Sequence, residues 1–118
     1  MTRRGDEVPR PRPSSVRAAD RSVGDGWDKL TAQHPEAADR AWVAITSDPR
    51  HTDGRQHRLK GQLGSVTVAG EEIEHWQFEV LSGGRLWYGI DDTNRTIWIT
   101  AATIGHPGET DMGRRRKR

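Results

Sequence analysis

Three residues in the C-terminal half of the sequence have side chains suited to phosphate binding or acid–base chemistry: Arg85, His106 and Glu79. Arg85 is permanently charged, and its planar guanidinium can bind two oxygens of one phosphate group. An imidazole such as that of His106 has a free pKa of about 6.5, so it can donate a proton at neutral pH. Glu79 can serve as a general base. The alternatives are an ion pair between Glu79 and Arg85 across a hairpin, and a loop histidine with no special role.

Two tryptophans, Trp87 and Trp98, alternate with apolar residues in neighbouring segments, so we expect both indoles on the polar face of one sheet. Aromatic planes in such positions can stack on unpaired nucleic-acid bases, at about 1–3 kcal/mol for each base. The alternative is that a tail, a partner segment or a loop covers them, because an exposed pair of tryptophans is unusual without a partner.

The elements that would position these residues are three predicted strands, at residues 73–81, 85–90 and 96–102. Each is rich in β-branched and aromatic residues, and turn-forming residues separate them, which indicates an antiparallel meander. Period-two alternation then assigns the residues to two faces. The face predicted to be buried carries Trp76, Phe78, Val80, Leu86, Tyr88, Ile90, Ile97, Ile99 and Ala101. The opposite face carries Gln77, Glu79, Arg85, Trp87, Trp98 and Thr100.

Two helices are predicted before the meander. Asp25 can cap the first helix, and a second helix begins at Pro35, a residue favoured at the first helical position. The second helix ends before Asp48, and its apolar residues recur at helical spacing. We expect the two helices to form an antiparallel hairpin, with Trp42 and Ile45 packed on the sheet.

The predicted fold is therefore α+β, with an N-terminal helical hairpin packed on a twisted, mainly antiparallel sheet of three to four strands. Candidates for the additional strand are a short edge strand at 14–19 and a segment interrupted by glycines at 56–68. The predicted organisation is a disordered basic arm at 1–13, one domain at 14–112 and a basic tail at 113–118.

The net charge of +2 over 118 residues is unevenly distributed. Residues 1–22 carry +3 and residues 114–118 carry +5, which leaves −6 for residues 23–113. The basic ends can attract nucleic acid through its phosphates, but without reading its sequence. The chain has no cysteine, which excludes disulfides and thiolate metal sites. No apolar run approaches the ~20 residues of a membrane span and no secretory signal is visible, so a cytoplasmic protein is expected.

A series of short motifs resembles the RelE/ParE toxin superfamily over residues 25–111 or so. The motifs are Arg58-Leu59-Lys60-Gly61, Trp76-Gln77-Phe78-Glu79-Val80, Gly84-Arg85-Leu86-Trp87-Tyr88-Gly89-Ile90-Asp91-Asp92, Arg95-Thr96-Ile97-Trp98-Ile99 and Gly105-His106. Their order matches one hairpin followed by a return strand. The resemblance implies the toxin of a bacterial type II toxin–antitoxin module, with a cognate antitoxin as its partner.

Ribosome-dependent mRNA endonucleases of that superfamily cleave RNA by attack of the neighbouring 2′-hydroxyl, without a metal or other cofactor. The resemblance implies that Arg85 stabilises the transition state and that His106 is the general acid. It makes Glu79 a candidate base and Lys60 a candidate phosphate contact, although a solvated surface lysine is an alternative for Lys60. The residues expected to contact RNA are Trp87, Trp98, Gln77 and Arg58.

The sequence departs from the nuclease pattern at three positions. Gln77 and Glu79 lie where many of these enzymes have lysines, and Pro107 replaces another basic residue. A second hypothesis is therefore a non-catalytic member that, like the ParE branch, binds a protein target such as DNA gyrase. A third is an interaction protein that keeps only the fold.

Overall fold

The computed structural model describes residues 2–6 and 15–105. Most of the predicted arm, the whole predicted tail and His106 lie outside the described residues. The elements are β1 (Ser15–Ala18), α1 (Arg21–Gln33), α2 (Pro35–Ser47), β2 (Gln56–Arg58), a 3₁₀-helix (Gly61–Gly64), β3 (Ser65–Val68), β4 (Glu71–Leu81), β5 (Gly84–Asp91) and β6 (Thr96–Thr103). Within the described part, no helix has the length and apolar character that crossing a membrane requires.

The strands form one mixed sheet in the order β1-β6-β5-β4-β2, and β3 also pairs with β4. β1 runs parallel to β6, and the other pairs are antiparallel. The predicted meander corresponds to β4, β5 and β6 and is confirmed, but the predicted number of strands is too low. β1, β2 and β3 have only three or four residues each, which is too short for a clear alternation of polar and apolar side chains.

The first helix begins earlier than predicted. Asp20, not Asp25, caps α1, because its carboxylate oxygen Oδ1 accepts a hydrogen bond of 2.9 Å from the backbone N–H of Val23. The second helix, α2, starts at Pro35 as predicted. The antiparallel hairpin predicted for the two helices is not confirmed, and the chain enters the fold through β1 before either helix.

The buried face of the meander matches the predicted alternation except at its last position. The buried residues are Trp76, Phe78, Val80, Leu86, Tyr88, Ile90, Ile97 and Ile99. Ala101 was assigned to the wrong face, because a β-bulge at Thr100 places Ala101 opposite Trp87. Ala102 packs against the core in its place.

The prediction for α2 is correct at Ile45, which is fully buried, and wrong at Trp42, which is 40% exposed. Small residues, among them Ala38 and Ala41, occupy the inner stripe of the helix beside Ile45. Position 42 lies about 100° around the helix from position 41, so its indole points away from the stripe. The Trp42 ring lies 6.3 Å from that of Trp27 on α1.

Tyr88 ties the loop after α2 to the centre of the sheet. Its hydroxyl donates a 2.7 Å hydrogen bond to the Pro49 carbonyl and accepts one of 3.0 Å from Gln56 Nε2. Gln56 Nε2 also donates to the Asp48 carbonyl at 3.0 Å. Burial raises the pKa of Tyr88 well above its usual range, so the hydroxyl stays protonated and can donate.

We expect Tyr88→Phe to lower the free energy of unfolding by about 1–3 kcal/mol, because the Pro49 carbonyl loses its buried donor. Urea denaturation measures the change. Thr31→Val is the matched control, since it removes an exposed hydroxyl that bonds the Asp28 carbonyl and should change stability by less than about 0.5 kcal/mol. Equal effects of the two variants would show that the buried Tyr88 hydrogen bond contributes no more to the free energy of unfolding than an exposed one.

Arg50 joins β4 to the turn after β5 on the helix side of the sheet. Its Nε lies 3.1 Å from Glu74 Oε1, and its Nη2 lies 2.7 Å from Asp92 Oδ2. Glu74 Oε1 also accepts a 3.0 Å hydrogen bond from the Trp76 indole. The hydrogen bond from Arg50 is the main cause that holds the pKa of Glu74 below its usual value, and that from Trp76 adds to it.

A carboxylate whose pKa is lowered by folding stabilises the protein above its unfolded pKa, here near 4.5, and loses this effect as pH falls towards the folded pKa. At pH 7 we expect Glu74→Gln to be less stable than wild type by up to about 1 kcal/mol, because the ion pair is partly exposed. The difference should close below pH 4.5. Urea denaturation across this range tests it, with the exposed Glu71→Gln as control. A difference that persists at low pH would contradict the ionic cause.

Candidate active site

The candidate site is the sheet face opposite the helices, here called the open face. Residues directly opposite one another on paired strands share a face. Glu79 is paired with Arg85, and Gln77 with Trp87, across β4 and β5. The structure therefore brings together four of the residues that the sequence singled out.

Arg85 lies at the edge of a depression of about 210 Å³ on the open face, lined by Gly83, Arg85, Trp87, Ala101 and Thr103. Its side chain is partly buried, and its backbone N–H donates a 3.3 Å hydrogen bond to Thr103 Oγ1. Among residues 2–6 and 15–105, its guanidinium has no ion-pair partner within 4.0 Å, Glu79 included. The alternative of a Glu79–Arg85 ion pair is thus not formed in the described part, where no carboxylate neutralises the Arg85 guanidinium.

Trp87 is held by polar contacts on the same face. Its indole N–H donates a 2.9 Å hydrogen bond to Gln77 Oε1, which engages the amide of Gln77. The ring of His75 stands edge-on to it, with a centroid distance of 5.5 Å and an interplanar angle of 86°. Period-two alternation places His75 on the open face with Gln77, and that is the signal by which the sequence could have revealed its role.

Trp98 is in a different environment from Trp87. It pairs with Gly89 of β5, and a Cβ atom at Gly89 would lie 2.5 Å from Ile73 Cδ1 and 3.3 Å from Val66 Cγ1. Side chains of the β3–β4 hairpin therefore cover the sheet beside Trp98. The Trp98 Nε1 is buried and makes no hydrogen bond of standard geometry within the described residues, although it helps lower the pKa of Asp91 after the larger effect of Asn94.

The two basic residues of the Arg58-Leu59-Lys60-Gly61 motif do not line the Arg85 depression. Arg58 is paired with the buried Trp76, so it lies on the helix side of the sheet, and its Nε donates a 2.9 Å hydrogen bond to the Gly64 carbonyl. Lys60 is exposed immediately before the 3₁₀-helix. His106 lies one residue beyond the described segment. The structure thus places Arg85, Glu79, Gln77 and Trp87 together and separates Arg58 from them.

Among the described residues, no three or more histidine, aspartate or glutamate side chains are grouped so that they could hold a metal ion. The open face presents a guanidinium, a carboxylate and aromatic rings. These groups can bind a phosphate, accept a proton and stack on a base.

The fold of the chain is similar to that of solved toxin structures, and the α+β class that the sequence predicted is confirmed. The chain is similar to the YoeB dimer from Staphylococcus aureus, with a TM-score of 0.56 and 13% identity over 80% of this chain and 99% of that one. A YoeB–YefM complex from the same organism gives a TM-score of 0.54 and 14% identity, over 77% of this chain and 95% of that one. A metal-bound toxin from Helicobacter pylori gives a TM-score of 0.54 and 13% identity, over 80% of this chain and 96% of that one. No family model and no curated protein matches the sequence.

Proposed function

We propose that this protein is the toxin of a type II toxin–antitoxin module and that it is an mRNA endoribonuclease. The observation that carries the proposal is Arg85, a cation without an ion-pair partner in the described part of the chain, at a depression that also contains Trp87. A guanidinium beside an aromatic plane suits one phosphate and one adjoining base of single-stranded RNA. The likeness in fold to YoeB toxins supports the same reading.

In the proposed reaction, the 2′-oxygen attacks the adjacent phosphorus and the bond from phosphorus to the 5′-oxygen breaks. Glu79, in register with Arg85, takes the proton of the 2′-hydroxyl. Arg85 stabilises the charge that develops on the phosphorane. His106 donates a proton to the departing 5′-oxygen, and Lys60 contacts the phosphate. The products are a 2′,3′-cyclic phosphate and a 5′-hydroxyl, and the ribosome presents the mRNA.

The test is incubation of purified protein with programmed ribosomes and end-labelled mRNA. Fragments with 2′,3′-cyclic phosphate ends are expected, with free mRNA as a comparison for the role of the ribosome. An absence of cleavage under both conditions, with folded protein, would contradict the enzymatic proposal.

His106→Gln is expected to slow cleavage by about 10²–10⁴-fold, because glutamine cannot donate a proton as imidazolium does. Single-turnover rates with excess protein measure the loss. His51→Gln is the matched control, since His51 pairs with Asp53 in an exposed loop, 2.9 Å away. Equal rates for wild type and His106→Gln would remove His106 from the mechanism.

The second candidate is a non-catalytic toxin that binds a protein such as DNA gyrase. It is favoured by the two residues of β4 that face Arg85 and Trp87. Glu79 repels phosphate, and the Gln77 amide is already bonded to the indole. Growth arrest with intact RNA and damaged DNA would support this candidate, and an absence of any growth effect would support a protein that keeps only the fold.

The proposed partner in the cell is a cognate antitoxin that covers the open face and places a carboxylate on Arg85. Hydrogen exchange of the coexpressed complex should then show protection in β5 and β6, whereas protection confined to α1 would locate the antitoxin elsewhere.

A further inference from the structure

His75 is a buried ionisable side chain on the open face, and the proposed reaction does not use it. Its exposed fraction is 5%. Its Nδ1 lies 2.8 Å from the Leu63 carbonyl oxygen, and its Nε2 lies 2.6 Å from Thr100 Oγ1. The ring therefore connects three parts of the chain: β4, the 3₁₀-helix after Lys60, and the bulge of β6.

These partners determine which ring nitrogen carries the proton. A carbonyl oxygen can only accept a hydrogen bond, so Nδ1 must donate to Leu63. In a neutral ring Nε2 then accepts, and the Thr100 hydroxyl donates to it. Burial lowers the pKa of His75, in agreement with a neutral ring. Both nitrogens are thus engaged, and the ring is held in one orientation.

That orientation also determines the position of Trp87. The two rings meet at 86° with their centroids 5.5 Å apart, which is a favourable edge-to-face geometry. Gln77, two residues further along the same strand β4, accepts the indole N–H with its Oε1 at 2.9 Å. Trp87 is therefore restrained by both Gln77 and His75, while it still lines the depression that contains Arg85.

We propose that His75 is a positioning residue, which holds the Trp87 indole at the angle that stacking of an unpaired RNA base requires. The proposal rests on the proposed function, because that function supplies the base. His75 touches neither the phosphate nor the base. It restricts the conformational freedom of the Trp87 indole before RNA binds, and preorganisation of this kind raises the affinity for RNA.

Fluorine NMR of protein labelled with 5-fluorotryptophan tests the restraint directly, with the Trp87 resonance assigned by its loss in Trp87→Phe. We expect His75→Gln to shift and broaden this resonance. Thr100→Val should do so to a smaller extent, because it removes the hydroxyl donor and leaves the ring. His51→Gln, the same substitution in an exposed loop, should leave the resonance unchanged. If His75→Gln fails to fold, Thr100→Val alone decides, and a Trp87 resonance unchanged in it would overturn the proposal.

RNA affinity completes the test, with a short single-stranded RNA of mixed sequence as the probe. Trp87→Ala should weaken binding by about 5- to 150-fold. His75→Gln should weaken it by about 3- to 10-fold in the wild-type background and not at all in the Trp87→Ala background, because His75 acts through the indole. Equal losses in both backgrounds, or none in either, would overturn the positioning role while leaving the proposed function intact. Folded wild type that neither binds this RNA nor cleaves mRNA on programmed ribosomes would overturn the proposed function, and the positioning role with it.

Discussion

Arg85→Lys is expected to lower the rate of RNA cleavage by about 10²–10³-fold without unfolding the protein. Lysine keeps the positive charge but loses the planar two-point contact with phosphate oxygens. The side chain lies at the edge of a depression and makes no ion pair within the described residues, so the substitution removes no native ion pair there. Single-turnover cleavage on programmed ribosomes measures the rate, and thermal unfolding checks the fold.

The matched control is Arg40→Lys, which makes the same change on the exposed surface of α2. It should cleave at the wild-type rate. Similar rates for Arg85→Lys and Arg40→Lys would show that the planar contact is not used. If wild type arrests growth but never cleaves RNA, while Arg85→Lys loses the arrest, Arg85 belongs to a protein-binding surface and the second candidate function is favoured.

Gly26→Ala and Gly24→Ala are expected to change stability in opposite directions, although both lie in α1. A Cβ at Gly26 would lie 2.6 Å from the Ala102 carbonyl oxygen, which is backbone and cannot turn aside. Helix and sheet must separate, and such overpacking costs about 1–3 kcal/mol. A Cβ at Gly24 would lie 3.8 Å from the Ala18 Cβ, an ordinary contact. Alanine there should stabilise the helix by about 0.5–1 kcal/mol.

Urea denaturation of the two variants and wild type measures both changes, and each variant is the control for the other. Stabilisation by both would mean that α1 can move away from β6 at little cost. Destabilisation by both would mean that the helix tolerates no added methyl group near its N-terminus, and the close approach at Gly26 would not be the specific cause.

Part of the candidate site was predictable because its geometry depends on residues close in the sequence. Alternation along one strand decides which side chains share a face, and this placed Arg85, Glu79, Gln77 and Trp87 together. The turn between β4 and β5 is short, so these two strands pair as neighbours in an antiparallel hairpin. The sequence did not clearly predict the β3–β4 hairpin, whose Val66 and Ile73 side chains lie against Gly89, the residue paired with Trp98.

The features that the sequence did not reveal depend on contacts between residues that are far apart in the chain. Alternation along β4 places His75 on the open face, but the ring is held by hydrogen bonds to Leu63 and Thr100, which are 12 and 25 positions away. The bulge at Thr100 changed the face of Ala101, and no residue near it signals an extra position in the strand. Long-range contacts of this kind leave no periodic pattern in the sequence.

The sequence by itself determined the α+β class, the start of α2 at Pro35, the meander and the faces of its strands, because backbone sterics and period-two alternation act over a few residues. The tertiary structure alone decided that β1 joins β6 in parallel, that α1 approaches the sheet at Gly26 and that His75 holds Trp87. Each of these depends on segments that meet only when the chain is packed. Their energies come from hydrogen bonds and close contacts between residues far apart in the chain, which local patterns do not record.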